Sequence, residues 1–176
     1  MNREPFVKLA PVFKDYLWGG EKLKALYGAP DARIAEAWLL SVHPDGPSVI
    51  AEGEYKGMPF PGYLKKEGFR GEFPVLIKFI DSARKLSVQV HPDNEYARVH
   101  EHDSGKSEMW IVLEAEPGAF LYVGFQQDAT REEVRRRVED GTIEDILHKI
   151  PTRTGDIVYI PAGTVHAIGE GNLILE

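Results

Sequence analysis

The chain has 176 residues, 43% of them apolar and 28% charged, with a formal net charge of −7. That is the composition and length of an ordinary globular domain, and it excludes a disordered or fibrous chain. The acidic balance speaks against broad binding to nucleic acid or to anionic membranes, but not against a small phosphorylated ligand met by a few local lysines. There is no cysteine, so disulfides and thiolate metal sites are excluded, and any metal must be held by His, Glu, Asp or Gln. The opening residues lack the apolar stretch of a signal peptide and no run reaches membrane-spanning length, which predicts a cytoplasmic protein.

Residues 1–34 are rich in Pro and Gly and read as an N-terminal extension, with a short helix expected over Glu21–Tyr27 and stopped by Gly28. From Ala35 onward short apolar runs alternate with turn signals. EAWLLSVHPDGP and SVIAEGEYKGM, with a turn at Glu52-Gly53, come first, and PVLIKFID, KLSVQVHP, SEMWIVLEA and AFLYVGF follow, each about strand length. The period then changes. Thr130–Asp140 reads as a helix in which Thr130 and Glu133 form a capping box, and a second helical segment covers Thr142–Leu147. Strands return in TGDIVYIPAG and NLILE. The expected fold is β-dominated, a single domain over 1–176 built as a sandwich or barrel, with a helical insertion near 128–148.

Three positions carry possible metal chemistry. In Gln89-Val90-His91, alternation along a strand puts Gln89, His91 and also Ser87 on one face, and Pro92 ends the pairing. Taken alone, His91 reads first as a cap on a strand edge. Glu108 opens the apolar run SEMWIVLEA, on the face of Trp110, Val112 and Glu114. A carboxylate buried there needs a partner, and a metal would serve, although a solvent-facing strand start is the simpler reading of Glu108 by itself. His166 closes Gly155-Asp156-Ile157-Val158-Tyr159-Ile160-Pro161-Ala162-Gly163-Thr164-Val165-His166, a strand, a sharp bend and a returning strand. His100 and His102 form an H-x-H in YARVHEHDSGK, a polar stretch that reads as a solvated loop, and His43 in SVHPDGP reads as the end of a strand.

The spacing G-x5-P-x-G-x2-H resembles the second motif of the cupins, small jelly rolls (double-stranded β-helices). The Asn usual four residues after that His is replaced by Glu170, and an Asn comes only at Asn172. In place of the first cupin motif, H-x-H closely followed by Glu, the chain has Gln89-x-His91 with Glu108 well downstream. With PVFKDYLWGGEKL, LSVQVHP, GKSEMWIVL and GDIVYIPAGTVHAIG, the chain as a whole resembles type I phosphomannose isomerase, a zinc-dependent mannose-6-phosphate isomerase. The resemblance implies a cupin jelly roll, one Zn2+ per chain held by Gln89, His91, Glu108 and His166, and a phosphosugar substrate contacted by Ser87, Lys78, Lys106 and Trp18. It implies interconversion of mannose 6-phosphate and fructose 6-phosphate through a cis-enediol, with Lys106 as the candidate proton carrier. Two imidazoles, a carboxylate and a weak amide ligand suit zinc and leave it strongly Lewis-acidic. Lys106 reads equally well as a solvated surface lysine, whereas Lys78, inside the apolar run PVLIKFID, must pair or face a cavity.

Other classes compete. A metal-bearing cupin could bind a sugar phosphate without turning it over, and His91, Glu108 and His166 alone would satisfy the two-His-one-carboxylate triad of a non-haem Fe(II) oxygenase. Members of the family continue beyond the equivalent of LILE through an arginine implicated in catalysis and a further β-domain, so the resemblance implies that this chain lacks the family's C-terminal part. A strand edge left open at Leu173–Glu176 would invite pairing with another chain, and a homodimer is one way to cover it.

Overall fold

Glu36-Ala37-Trp38 lies in the middle of its sheet with neighbours on both edges, and all three residues are buried, as a central strand requires. The computed structural model describes residues 6–29 and 33–176, and the parts of the expected extension at 1–5 and 30–32 lie outside the described residues. The chain forms two units, Met1–Asp81 with Leu175–Glu176, and Ser82–Ile174.

The first unit contains β1 (Leu9–Ala10), β2 (Val12–Lys14), α1 (Lys22–Tyr27), β3 (Glu36–Leu40), β4 (Val49–Ile50), α2 (Phe60–Lys66) and β5 (Ile77–Ser82). β2, β3 and β5 pair antiparallel in that order, with Val12 opposite Trp38 and Trp38 opposite Lys78, and β1 pairs with β4. The described part of the expected extension therefore supplies strands to this unit. α1 ends as its sequence predicts, at Gly28 in the left-handed region (φ 61°). Its first turn is anchored by Asp81, a buried carboxylate whose Oδ2 accepts the amides of Lys22 (2.7 Å) and Leu23 (3.3 Å). Glu176 exchanges backbone hydrogen bonds with Lys78, at 2.9 Å each way.

The second unit contains α3 (Asn94–His100), β6 (Glu108–Ala115), β7 (Phe120–Phe125), α4 (Arg131–Glu139), a 3-10 turn (Ile143–Ile146), β8 (Leu147–Pro151), β9 (Ile157–Ile160), β10 (His166–Ile168) and β11 (Asn172–Leu175). One sheet places β6 between β11 and β9, and another has the order β10-β7-β8. β6 alternates as its sequence predicts: Glu108, Trp110 and Val112 are buried, while Met109 is exposed. Phe120, Tyr122, Leu147, Val165 and Ala167 form an apolar cluster on which Val88 and Phe125 pack. The helical insertion sits where it is expected, between β7 and β8, and Thr130 accepts the Glu133 amide at 3.2 Å.

One helix is added and three local expectations are corrected. Phe60–Lys66 is a helix that the sequence reading left unassigned, entered through Pro59 and carrying Pro61 in its first turn. Asn94–His100, read as loop, is a helix capped by Asp93, whose side chain accepts the Tyr96 amide at 2.8 Å. KLSVQVHP is not a regular strand; its ladder contact is the single bridge Gln89–His166. Finally, Leu173–Leu175 belong to β11, which pairs with β6, and Glu176 pairs with Lys78, so the open edge expected there is not found.

Candidate metal centre

Three segments of the second unit carry the four expected ligands: Gln89 and His91 on one, Glu108 on β6 and His166 on β10. Gln89 and His166 face each other in an antiparallel bridge and exchange both backbone hydrogen bonds (3.0 and 2.9 Å). Directly opposed residues of such a pair project to the same face, so the Gln89 side chain is on the side of the His166 ring. His91 follows two residues on. Its carbonyl accepts the Gly163 amide at 2.7 Å, which ties the Pro161–Gly163 bend to the ligand segment. Gly163 has φ +83°, a conformation open to glycine at little cost.

Glu108 arrives from the other side, as the first residue of β6. The approach depends on Gly105, whose missing Cβ would stand 2.3 Å from the Asp93 carbonyl carbon. That close passage lets the Lys106 amide donate to the Pro92 carbonyl at 3.0 Å, next to His91.

The side chains converge on one point. Among the described residues, His91, Glu108 and His166 are the one group of His, Cys, Asp or Glu able to hold a metal, with ligand atoms all within 4.8 Å of one another. Glu108 is 6% exposed and His166 is 1% exposed. The Glu108 Oε1 lies 2.9 Å from His91 Nε2 and is in ion-pair contact with the Lys106 ammonium, and Oε2 lies 3.5 Å from His166 Nε2. Trp110 donates its indole N–H to Oε2 at 3.0 Å. His166 Nδ1 is 2.8 Å from the Thr164 carbonyl. A carbonyl can only accept, so Nδ1 carries the proton and Nε2 keeps its lone pair for the site.

The donor set fits a metal ion. His91 Nε2 and His166 Nε2 are buried and satisfied by no hydrogen bond; the His91 contact with Glu108 has the distance of one but not the angle. Two buried ring nitrogens without hydrogen-bond partners beside a buried carboxylate form an arrangement that costs free energy unless a cation joins it. For Glu108 and His166, the shifts run toward the states that coordination needs. Burial pushes the Glu108 carboxyl up, but the close His91 and the Lys106 ammonium outweigh it and bring the pKa from 4.5 down to about 2. Burial is also the main influence on His166, holding it below the usual 6.5 and therefore neutral.

The remaining expected site residues are placed as follows. Ser87 is exposed, two residues before Gln89, and Lys106 is half-buried beside Glu108. In the first unit, Lys78 is nearly buried between Glu36 (3.2 Å) and Glu176 (3.5 Å), so its position in an apolar strand is explained by pairing. Trp18, half-buried, stacks on Tyr16 with ring centroids 5.4 Å apart. His100 ends α3 and His102 is exposed beyond it; neither joins a metal-capable group. The His43 ring accepts the Asp45 amide at 3.1 Å just after β3. The indole of Trp110 is the contact that the sequence reading missed, although the i, i+2 spacing of Glu108 and Trp110 on one strand face was there to suggest it.

Comparison with known proteins identifies the family. A family model described as "Phosphomannose isomerase type I, catalytic domain" matches residues 6–114, a span that includes Gln89, His91, Lys106 and Glu108. The chain is 42% identical to the mannose-6-phosphate isomerase of Streptococcus mutans, with 91% of this chain and 53% of that protein covered. It is 38% identical to the mannose-6-phosphate isomerase ManA of Bacillus subtilis, covering 100% of this chain and 58% of the relative. The crystal structure of the mannose 6-phosphate isomerase from Bacillus subtilis superposes with a TM-score of 0.87 at 35% identity, covering 96% of this chain and 56% of that one. The β-dominated, cupin-like fold is therefore that of this family, and the chain spans about half the length of the curated relatives it matches. On the matched residues and the identity of these relatives, the chain belongs to the type I phosphomannose isomerase family.

Proposed function

We propose that the chain carries the zinc site of an aldose–ketose isomerase acting on mannose 6-phosphate and fructose 6-phosphate. The observation that carries the reading is the pair of buried, unsatisfied imidazole nitrogens of His91 and His166 facing the ionised Glu108. Gln89, on the His166 face of the bridge, would complete the set as a fourth ligand. Two nitrogens with oxygen donors suit Zn2+, and the amide would leave the ion strongly electrophilic. Iron held by the same three residues is the rival, and Gln89 together with the neighbouring Lys106 favours zinc and an isomerase.

When bound, the metal would polarise the substrate oxygens at C1 and C2, lowering the barrier to loss of the proton on the carbon beside the carbonyl. The chain's own residues do the rest. His91, Glu108 and His166 would hold the ion, and the Nδ1 bond to Thr164 keeps the His166 ring in one tautomer. Lys106, held against Glu108, is the candidate to move a proton between C2 and C1 on one face of a cis-enediol. Ser87, Lys78 and Trp18 are the candidates to contact the phosphosugar, as the family resemblance implies. A chain without cysteine suits the reducing cytoplasm, and no described helix is long and apolar enough to cross a membrane.

The deciding experiment is a coupled assay for fructose 6-phosphate on this 176-residue chain, with zinc added. Turnover that a chelator abolishes and zinc restores is expected. Folded, zinc-loaded protein that binds mannose 6-phosphate without converting it would replace the isomerase with a binding role. Bound iron with oxygen-dependent chemistry would sink the proposal.

A further inference from the structure

Glu36 and Glu108 are held by the same device in different units. Each is the first residue of its strand, β3 or β6. Each has a tryptophan two residues on whose indole N–H donates to Oε2, from Trp38 at 2.6 Å and from Trp110 at 3.0 Å. Each has a lysine ammonium on Oε1, Lys78 in one case and Lys106 in the other. The alternation of a strand explains the recurrence, since residues i and i+2 share a face and an indole there reaches back to the carboxylate. The difference is that Glu108 alone is joined by histidines.

Trp110 does more than satisfy a carboxylate. It is 1% exposed, and its ring meets that of His166 edge-on, with centroids 5.5 Å apart and planes at 78°. One side chain thus touches two of the expected ligands. With the indole on Oε2, Oε1, which carries the Lys106 ammonium and lies nearest His91 Nε2, is the oxygen that an ion would take in exchange for the lysine contact. A carboxylate free to turn could offer both oxygens and fill a coordination position that a substrate oxygen needs. We infer that Trp110 is a positioning residue for the metal centre, fixing Glu108 as a one-oxygen ligand and so keeping a coordination position open. This rests on the metal-site reading above.

The test uses Co2+ as a spectroscopic stand-in and the variant Trp110→Phe, which keeps a ring against His166 and removes the N–H. We expect Co2+ affinity to fall about 10- to 100-fold, the range for loss of a group that orients a ligand. The visible Co2+ band should also lose intensity as the second carboxylate oxygen adds to the ion. Trp38→Phe, which removes the matching indole from Glu36, should leave Co2+ affinity unchanged. A folded Trp110→Phe with wild-type affinity and spectrum overturns the inference. So does an equal loss in both variants, which would report general loosening.

If Trp110→Phe does not fold, the wild-type protein decides. Its Trp110 indole N–H resonance, one of three tryptophans, should move on adding Zn2+, and a resonance indifferent to the metal overturns the inference. Wild-type protein that binds neither Co2+ nor Zn2+ would instead overturn the metal-site reading itself, a result distinct from a Trp110 variant that behaves like the parent.

Discussion

Gln89 and His166 exchange both of their backbone hydrogen bonds, at 3.0 and 2.9 Å, across an isolated antiparallel bridge. The bridge is made by main chain, so it survives a change of side chain at 89. Gln89→Leu therefore separates ligation from folding. Zinc affinity measured by chelator competition should drop at least about tenfold, or about 1.4 kcal/mol. The melting temperature of the metal-free variant should stay within a few degrees of the parent. Unchanged affinity would remove Gln89 from the ligand set.

Lys106 stands against the same Glu108 oxygen that is closest to His91. An ammonium there opposes a second cation through plain Coulomb repulsion, moderated by its partial exposure. Lys106→Met should thus tighten zinc binding by roughly three- to tenfold, on the scale of a weakly screened charge pair. If the lysine moves the proton, turnover should fall by about 100-fold or more. Affinity and activity moving in opposite directions would mark a residue that works on the substrate. Loss of both together would make Lys106 a structural support for Glu108.

Much of this site was legible before the fold was known, and the reasons are local. The PxG bend and the alternation of β6 are short-range patterns; the structure keeps the bend before His166 and buries Glu108 on the face of Trp110 and Val112, not at the solvent-facing strand start that Glu108 suggests by itself. The Thr130–Glu133 cap and the Gly28 stop are likewise written in adjacent residues. What escaped was written weakly or at long range. α2 carries Pro61 and Gly62, residues that usually argue against a helix. α3 is polar and short, and its only strong local mark is the Asp93 cap. The run KLSVQVHP has strand chemistry but meets a partner at one bridge, because pairing depends on which segment lies alongside. The Lys78 contacts with Glu36 and Glu176 join residues 42 and 98 positions away, beyond the reach of any local pattern.

Acid should weaken the metal-free protein in two stages with the same sign. His166 is held below its ordinary 6.5, so the unfolded chain takes up a proton that the folded chain refuses, and stability declines as the pH falls below about 6.5. Glu108 is depressed from 4.5 to about 2; its contribution is complete above 4.5 and is lost as the pH falls from there toward 2. Urea midpoints at pH 7.5, 5.5 and 3.5 should decrease in that order. His166→Gln should flatten the first interval, and Glu108→Gln should reduce the fall between pH 5.5 and 3.5. A parent whose stability does not change between pH 7.5 and 5.5 would contradict the neutral, buried state of His166.

Metal removal should be visible without any substrate. An ion that binds only the folded chain stabilises it by mass action, about 2.7 kcal/mol when free metal is a hundred times its dissociation constant. For a chain of this length that corresponds to a rise in melting temperature of roughly 5 to 11 °C. Chelator should lower the transition by that amount, and Zn2+ should restore it. His91→Ala and His166→Ala should each abolish the response, since each removes one of the two buried lone pairs that the ion would satisfy. Mg2+, which prefers an all-oxygen octahedral shell, should not substitute. A melting temperature indifferent to chelator and to Zn2+ in the parent would mean that His91, Glu108 and His166 meet for structural reasons alone, with the Glu108 contacts to Lys106 and Trp110 as the purpose of the cluster.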